Sequence, residues 1–363
     1  MKICFFIDDY SAVGGIQRVT SMISSFLSKD NEVHVVSMYQ EHGTQNHDLY
    51  SKNVHIETLI NGEKKYIQQC FKMVKLLKAY IKSKNIDILI ATSEMLSPYC
   101  FLAIKGTKTK YVVWTHTPPL NNSEAKLQKL FKRLGLITSS LTIALTEKSA
   151  NKLKEIYKVD HVTYIPNPID PRIIKQVNYD EDSKKIITAG RVCYQKYYEK
   201  LIEVATYVLS NNKDWVWDIY GDGEIDKLKR LIKENNLDSQ INLKGNVNDI
   251  YNRYKEYSFQ VMTSRFEGFP MTLLEGLACG LPVVSFNIPG VDEIVRDKRN
   301  GLLINPYDAK EMAKAINDLI LNKDVRKQFS FNNINDRNNF DIDKICALWN
   351  IKLKGVIDEK VVK

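Results

Sequence analysis

SRFEGFPMTLLEGLACGLPVVSFNIPGVDEIVRDKRNGLLINP, the stretch from Ser264 to Pro306, holds two carboxylates, Glu267 and Glu275, eight residues apart around a Gly-Phe-Pro turn. Proline suits the first turn of a helix, where its missing N–H is no loss, so Pro270 predicts a helix over Met271–Ala278. That places Glu275 one turn in and Glu267 in the loop before it. Helix N-termini attract anions, phosphate above all. Carboxylates in the same place must serve another part of the ligand, and sugar hydroxyls are the chemical match. The pattern points to a sugar-phosphate compound.

The segments on either side read as α/β units. Short apolar runs predict strands near Lys2–Ile7, Glu32–Ser37, Val54–Thr58, Ile86–Ile90, Tyr111–Trp114, Leu141–Ala144 and Val162–Ile165, alternating with helical patterns over Gln17–Ser28, Lys64–Lys84, Glu124–Leu134 and Glu147–Tyr157. Pro166-Asn167-Pro168-Ile169-Asp170-Pro171 then breaks all periodicity and marks a boundary. A second set follows, with strands near Lys185–Ala189, Val216–Tyr220, Ile241–Leu243, Phe259–Met262, Val283–Ser285 and Leu302–Ile304. Its helices fall over Glu199–Leu209, Glu224–Glu234, Met271–Ala278, Lys310–Leu321 and Lys344–Val356. The division expected is 1–168, 169–340 and a terminal helix, 341–363, that packs back on the first domain.

The E-x7-E pair, followed by A-C-G-L-P-V-V and G-L-L-I, resembles the signature of the retaining GT-B glycosyltransferases of family four. The resemblance implies an α/β GT-B fold of two doubly wound, Rossmann-like domains facing across a cleft. It also implies transfer of a sugar from a nucleotide-sugar with retention of anomeric configuration. By resemblance Glu267 contacts the hydroxyls of the transferred sugar and Glu275 the ribose hydroxyls. The resemblance also implies that the backbone N–H groups of Met271 and Thr272 hold the diphosphate and that Phe269 and Pro270 belong to the donor site.

Gly190-Arg191-Val192 and Gln195-Lys196 follow the strand IITA. Arginine grips phosphate as a planar fork and lysine as a point charge. Alone, each is an ordinary surface cation. The family has G-R-x-x-x-x-K in this place, usually followed by glycine, where this chain has Tyr197 and hence an expected difference in the loop. Arg191 and Lys196 are assigned to stabilising the leaving diphosphate, the form of catalysis that dominates such sites. Two cations and a helix terminus stand in for a metal, so no cofactor and no metal is expected. Asp180-Glu181-Asp182 and Asp341-Ile342-Asp343 fit D-x-D, a pattern that arises easily by chance.

Asp8–Ile16 contains paired glycines after the first strand, and Gly221-Asp222-Gly223 follows another. Neither has the G-x-G-x-x-G spacing of a dinucleotide turn. The family has a GG loop in the first place, which assigns Gly15 to the donor phosphates. His116, in WTHTPP at a strand end, is assigned to the reaction centre, against the commoner case of a structural histidine. Front-face attack needs no protein nucleophile, whereas double displacement would need a carboxylate under the anomeric carbon; the first is preferred, and Glu267 is not read as a nucleophile.

Composition narrows the classes. With 44% hydrophobic and 26% charged residues the chain is globular, and no run approaches the roughly 18 apolar residues of a membrane helix. Six scattered cysteines without C-x-x-C point to a reducing compartment, so a cytoplasmic protein is expected, with a candidate peripheral contact at the inner face of the membrane. The net charge of +9 is concentrated in residues 1–170, with 22 basic and 15 acidic residues. Glu63–Lys84 carries seven lysines and one glutamate, with Ile67, Phe71, Val74, Leu77 and Ile81 at helical spacing. An ordinary amphipathic helix explains that pattern; the functional alternative is an anionic membrane surface, to which each lysine adds roughly 1 kcal/mol. Lys126, Lys129, Lys132 and Arg133 with Leu127, Leu130 and Phe131 form a second such surface. No aromatic-and-basic nucleic-acid motif is present. The expected partners are a UDP-sugar donor and a lipid-linked or oligosaccharide acceptor of a surface polysaccharide. The alternatives are a GDP-mannose-dependent enzyme and a non-catalytic basic protein that binds membrane or polyanion.

Overall fold

The computed structural model describes residues 1–12, 14–40, 49–60, 69–119, 125–174, 179–247 and 250–358. The chain divides into two units, one of Met1–Pro168 with Ile342–Lys363 and one of Ile169–Asp341.

The first unit is built on seven strands: β1 (Lys2–Asp9), β2 (Glu32–Tyr39), β3 (Val54–Thr58), β4 (Ile88–Ala91), β5 (Lys110–Trp114), β6 (Leu141–Ala144) and β7 (Val162–Tyr164). They lie in the order β3-β2-β1-β4-β5-β6-β7, and every pairing is parallel. Ile3 to Phe6 of β1 and all of β4 are fully buried, as strands covered by helices on both faces must be. The winding reverses between β1 and β4, and there the loops leaving the strand C-termini diverge.

The final helix, Ile342–Asp358, belongs to this unit. Trp349 is fully buried, its ring 4.9 Å from that of Trp114 and 6.1 Å from that of Phe5. Asn31 Nδ2 donates to Asn350 Oδ1 at 3.1 Å. A helix more than 300 residues downstream thus completes the core beside β1.

The second unit repeats the winding with six parallel strands: β8 (Lys185–Ala189), β9 (Val216–Tyr220), β10 (Ile241–Gly245), β11 (Phe259–Met262), β12 (Val283–Phe286) and β13 (Gly301–Ile304). Their order is β10-β9-β8-β11-β12-β13, so the switch point lies between β8 and β11.

Helices Met271–Ala278 and Glu147–Tyr157 begin and end where the sequence puts them. Two others, Ser97–Ile104 and Lys323–Asp336, have no counterpart in the sequence reading. The second is polar on nearly every side. Its buried Arg326 donates to the carbonyls of Leu319 and Ile320, closing the C-terminal end of helix Ala309–Leu321.

Two readings of basic helices are corrected. The helix predicted over Lys64–Lys84 is described from Cys70, and Lys64, Lys65 and Ile67 lie outside the described residues. Its inward stripe is Met73, Leu77 and Ile81, while Phe71 is 88% exposed. The other helix runs Lys126–Thr138, with Glu124 outside the described residues. Lys132 does not join its basic surface. It shares the inward stripe with Gly135 and Leu136, and its side chain is buried.

Candidate active site

In the second unit, the loops leaving β8 and β11 flank the switch point and lean on each other. Arg265 N–H donates to Gln195 O at 2.8 Å, and Thr263 Oγ1 donates to Lys196 O at 3.1 Å. Between them lies the buried carboxylate of Glu267. Its Oε1 accepts from Lys196 Nζ at 2.7 Å and Ser264 Oγ at 2.6 Å, and its Oε2 accepts from Gln195 Nε2 at 3.1 Å. The two residues assigned separately to diphosphate and sugar therefore meet as an ion pair. A carboxylate has about four lone-pair sites, so Glu267 keeps acceptor capacity for one more hydroxyl.

The residue after Lys196 corrects an expectation. Tyr197 adopts φ 56°, ψ 50°, the left-handed conformation that glycine takes freely and other L-residues take at a cost of roughly 1–2 kcal/mol. The loop backbone a glycine would adopt is therefore available to tyrosine here. Its ring is held by the Arg265 guanidinium, 3.2 Å from the centroid, and by Tyr307, edge-on at 5.8 Å.

Arg191 faces solvent, 65% exposed, with Nε 4.0 Å from Asp222 Oδ1. Gly221-Asp222-Gly223 packs against this loop. A Cβ on Gly221 would lie 2.1 Å from Gly190 O, and Val192 N–H donates to Asp222 O at 2.6 Å. The second glycine pair is a packing device that seats the Arg191 loop.

Pro270 precedes helix Met271–Ala278, and the amides of Leu273 and Leu274 return to Pro270 O at 3.1 Å each. The amides of Met271 and Thr272 come before these first intrahelical donors. Thr272 Oγ1 is buried and has no hydrogen-bond partner among the described residues, a rare condition for a buried hydroxyl. Glu275 is buried, and Tyr254 Oη donates to its Oε2 at 3.2 Å. Phe269 is buried edge-on to Phe340, ring centroids 5.9 Å apart, and so supports the turn from behind.

Sequence reasoning quoted Gln195 and Ser264 within its motifs but gave them no role, and it missed Tyr254, which carries no motif. It also missed Gly290, whose Pro-Gly dipeptide lay inside the deciding stretch. At φ 88° Gly290 lies so close to the Glu267 loop that a Cβ would sit 2.5 Å from Gly268 O and 2.8 Å from Glu267 O.

In the first unit the switch-point loops leave β1 and β4. Asp9 is buried and its Oδ1 accepts from Ser11 N–H at 2.9 Å and Ser11 Oγ at 2.5 Å. Gly15 is exposed at the start of helix Gly15–Leu27. His116, after β5, packs its ring 4.4 Å from that of Trp114, and its Nε2 is enclosed with no partner among the described residues. Burial pushes its pKa from the ordinary 6.5 down to about 3, so the imidazole is neutral. Beside it stands Glu94, a buried carboxylate absent from the sequence reading, whose Oε1 accepts from the hydroxyls of Thr115 and Thr117.

Neither D-x-D stretch gathers into a metal centre among the described residues, where no group of three His, Cys, Asp or Glu is placed to hold an ion. Asp182 instead pairs with Lys323.

Comparison with known proteins fits this geometry. Residues 13–173 match the model described as Glycosyltransferase Family 4, and residues 170–336 match that of Glycosyl transferases group 1. An uncharacterized glycosyltransferase of Haemophilus influenzae is 26% identical over 98% of this chain and 99% of its own. The amylovoran biosynthesis glycosyltransferase AmsD of Erwinia amylovora is 26% identical over 96% and 98%. Among solved structures, Anabaena HepE in complex with UDP superposes with a TM-score of 0.83 at 17% identity, over 98% of this chain and all of that one. Two domain matches in tandem and the paired doubly wound sheets identify the chain as a GT-B glycosyltransferase of the group 1 and family 4 type.

Proposed function

We propose that the chain is a retaining, metal-independent hexosyltransferase that moves a sugar from a UDP-sugar to a lipid-linked saccharide in surface polysaccharide biosynthesis. The observation that carries this reading is the Lys196–Glu267 pair at the β8/β11 switch point, near a helix start whose Thr272 hydroxyl has no partner among the described residues. One end of that arrangement suits a diphosphate and the other a sugar hydroxyl. AmsD takes part in amylovoran biosynthesis and HepE binds UDP, which favours a uridine donor and a polysaccharide product here.

In this reading the amides of Met271 and Thr272 hold the diphosphate, with Phe269 and Pro270 shaping the turn beneath it. Glu275 takes the ribose hydroxyls, and Gly15 approaches the donor phosphates. Arg191 and Lys196 stabilise the charge that grows as the bond from the anomeric carbon to phosphate breaks. The acceptor hydroxyl attacks from the same face and its proton passes to the departing phosphate oxygen. Glu267 bonds the sugar and forms no covalent intermediate. His116, held neutral, hydrogen-bonds the donor sugar or the acceptor.

A membrane-borne acceptor suits the outer surface of the first unit. Helices Cys70–Lys84 and Lys126–Thr138 contain no acidic residue, and between them expose Lys72, Lys75, Lys82, Lys126, Lys129 and Arg133 with Phe71, Leu127 and Leu130. Among the described residues no helix is long and apolar enough to cross a membrane. A surface of this kind attracts anionic lipid without insertion of a span. Flotation with phosphatidylglycerol vesicles is expected to carry the protein upward, and equal behaviour with neutral vesicles counts against the lipid acceptor.

The test of the donor is a thermal-shift screen against UDP, GDP, ADP, TDP and NAD in EDTA. A shift with UDP alone supports the proposal. A shift with GDP alone redirects it to a mannose or fucose donor, and a shift that arises only when a divalent cation replaces the EDTA removes the metal-independent mechanism.

A further inference from the structure

Lys132 is only 2% exposed, and an isolated buried ammonium costs several kcal/mol. Its Nζ donates to Thr117 Oγ1 at 3.0 Å and to Pro118 O at 2.6 Å. Thr117 Oγ1 in turn donates to Glu94 Oε1 at 2.8 Å. A hydroxyl has one proton to give and lone pairs to receive, so Thr117 can join the ammonium to the carboxylate only in that direction. Thr115 Oγ1 donates to the same carboxylate oxygen. The two residues on either side of His116 are therefore tied to one atom, and the next residue, Pro118, is tied to Lys132.

Among the described residues His116 Nε2 has no hydrogen-bond partner. Its place against Trp114 is set by the backbone of residues 115–118 and by ring packing. We infer that Glu94 and Lys132 are positioning residues for His116, two buried groups joined through Thr117 that hold the imidazole in a fixed place at the end of β5. Glu94 follows β4 and Lys132 lies on helix Lys126–Thr138, so the strut ties one switch-point strand to the helix packed beside it. The inference rests on the reading that His116 lines the reaction centre, and it adds the device that keeps it there.

The strut can be broken without losing volume. Thr117→Val removes the bridging hydroxyl, Thr117→Ser restores it, and Glu94→Ala removes the anchor. The ¹³Cε1 resonance of His116 in histidine-labelled full-length protein, assigned by its loss in His116→Ala, reads the placement directly. It is expected to move or broaden in Thr117→Val and Glu94→Ala and to return in Thr117→Ser. An unchanged resonance in Thr117→Val, in protein whose melting matches the wild type, overturns the inference. Turnover is measured separately as UDP release from UDP-glucose, UDP-galactose and UDP-N-acetylglucosamine. In a double-mutant cycle, Thr117→Val is expected to cost on the order of tenfold or more and to cost nothing further once His116 is alanine. Wild-type turnover in His116→Ala sinks the reaction-centre reading while leaving the resonance test of the strut intact.

Discussion

The two units wind their strands in the same order and end their switch-point loops in opposite ways. In the second, Lys196 and Glu267 pair directly at 2.7 Å and Arg191 stands 65% exposed beside them. In the first, Glu94 and Lys132 are buried and share the hydroxyl of Thr117, and the imidazole they flank is neutral. A shared architecture therefore supports two kinds of electrostatics. Cations that can be recruited suit a ligand that gains negative charge. Hidden charges with hydroxyls and a neutral ring suit a ligand made of alcohols.

That contrast breaks if the second unit does not depend on its cations. Lys196→Ala is expected to lower turnover by 10²-fold or more, on the scale of a lost transition-state donor, and to destabilise the protein by about 3 kcal/mol because Glu267 stays buried without its counter-ion. Turnover and urea midpoints check both. Arg191→Ala is expected to lose as much turnover with a stability change within about 0.5 kcal/mol, since the side chain is exposed. Near-normal turnover would remove Arg191 from the leaving-group role.

The first unit is sharpened by pH. The native His116 pKa lies below that of the unfolded chain, near 3 against 6.5, so between these values the unfolded state binds the extra proton. Stability is full above about pH 6.5 and falls as pH drops towards 3. The loss of urea midpoint between pH 7.5 and pH 5 is expected to be smaller in His116→Gln than in the wild type, and an equal loss refutes the buried neutral ring. The smallest effect is expected at Tyr197. Glycine there relieves left-handed strain and forfeits the stacking on Arg265, two terms each of about 1 kcal/mol, so Tyr197→Gly should move the melting temperature little while raising the KM for donor.

Local pattern made much of this legible. Pro270 and the capped, amphipathic run from Glu147 mark helix ends because those signals act within a few residues. Ser97–Ile104 escaped because SPYCFLAI is apolar on nearly every side and shows no period, and Lys323–Asp336 because it is polar on nearly every side. Lys132 was read as surface since it sits among three other basic residues. Only the seating of its helix, with Gly135 against Ser97, turns it inward.

The chain's own order of residues determined the α/β class, the stiff proline-rich connector, and which charged side chains its loops carry. Those follow from periodicity, backbone stiffness and side-chain chemistry, all short-range properties. The pairing of Lys196 with Glu267, 71 residues apart, the return of Trp349 to Trp114, and the link from Glu94 to Lys132 were settled by packing. Such contacts depend on which strands neighbour one another and how helices seat on them, and no local spacing encodes that.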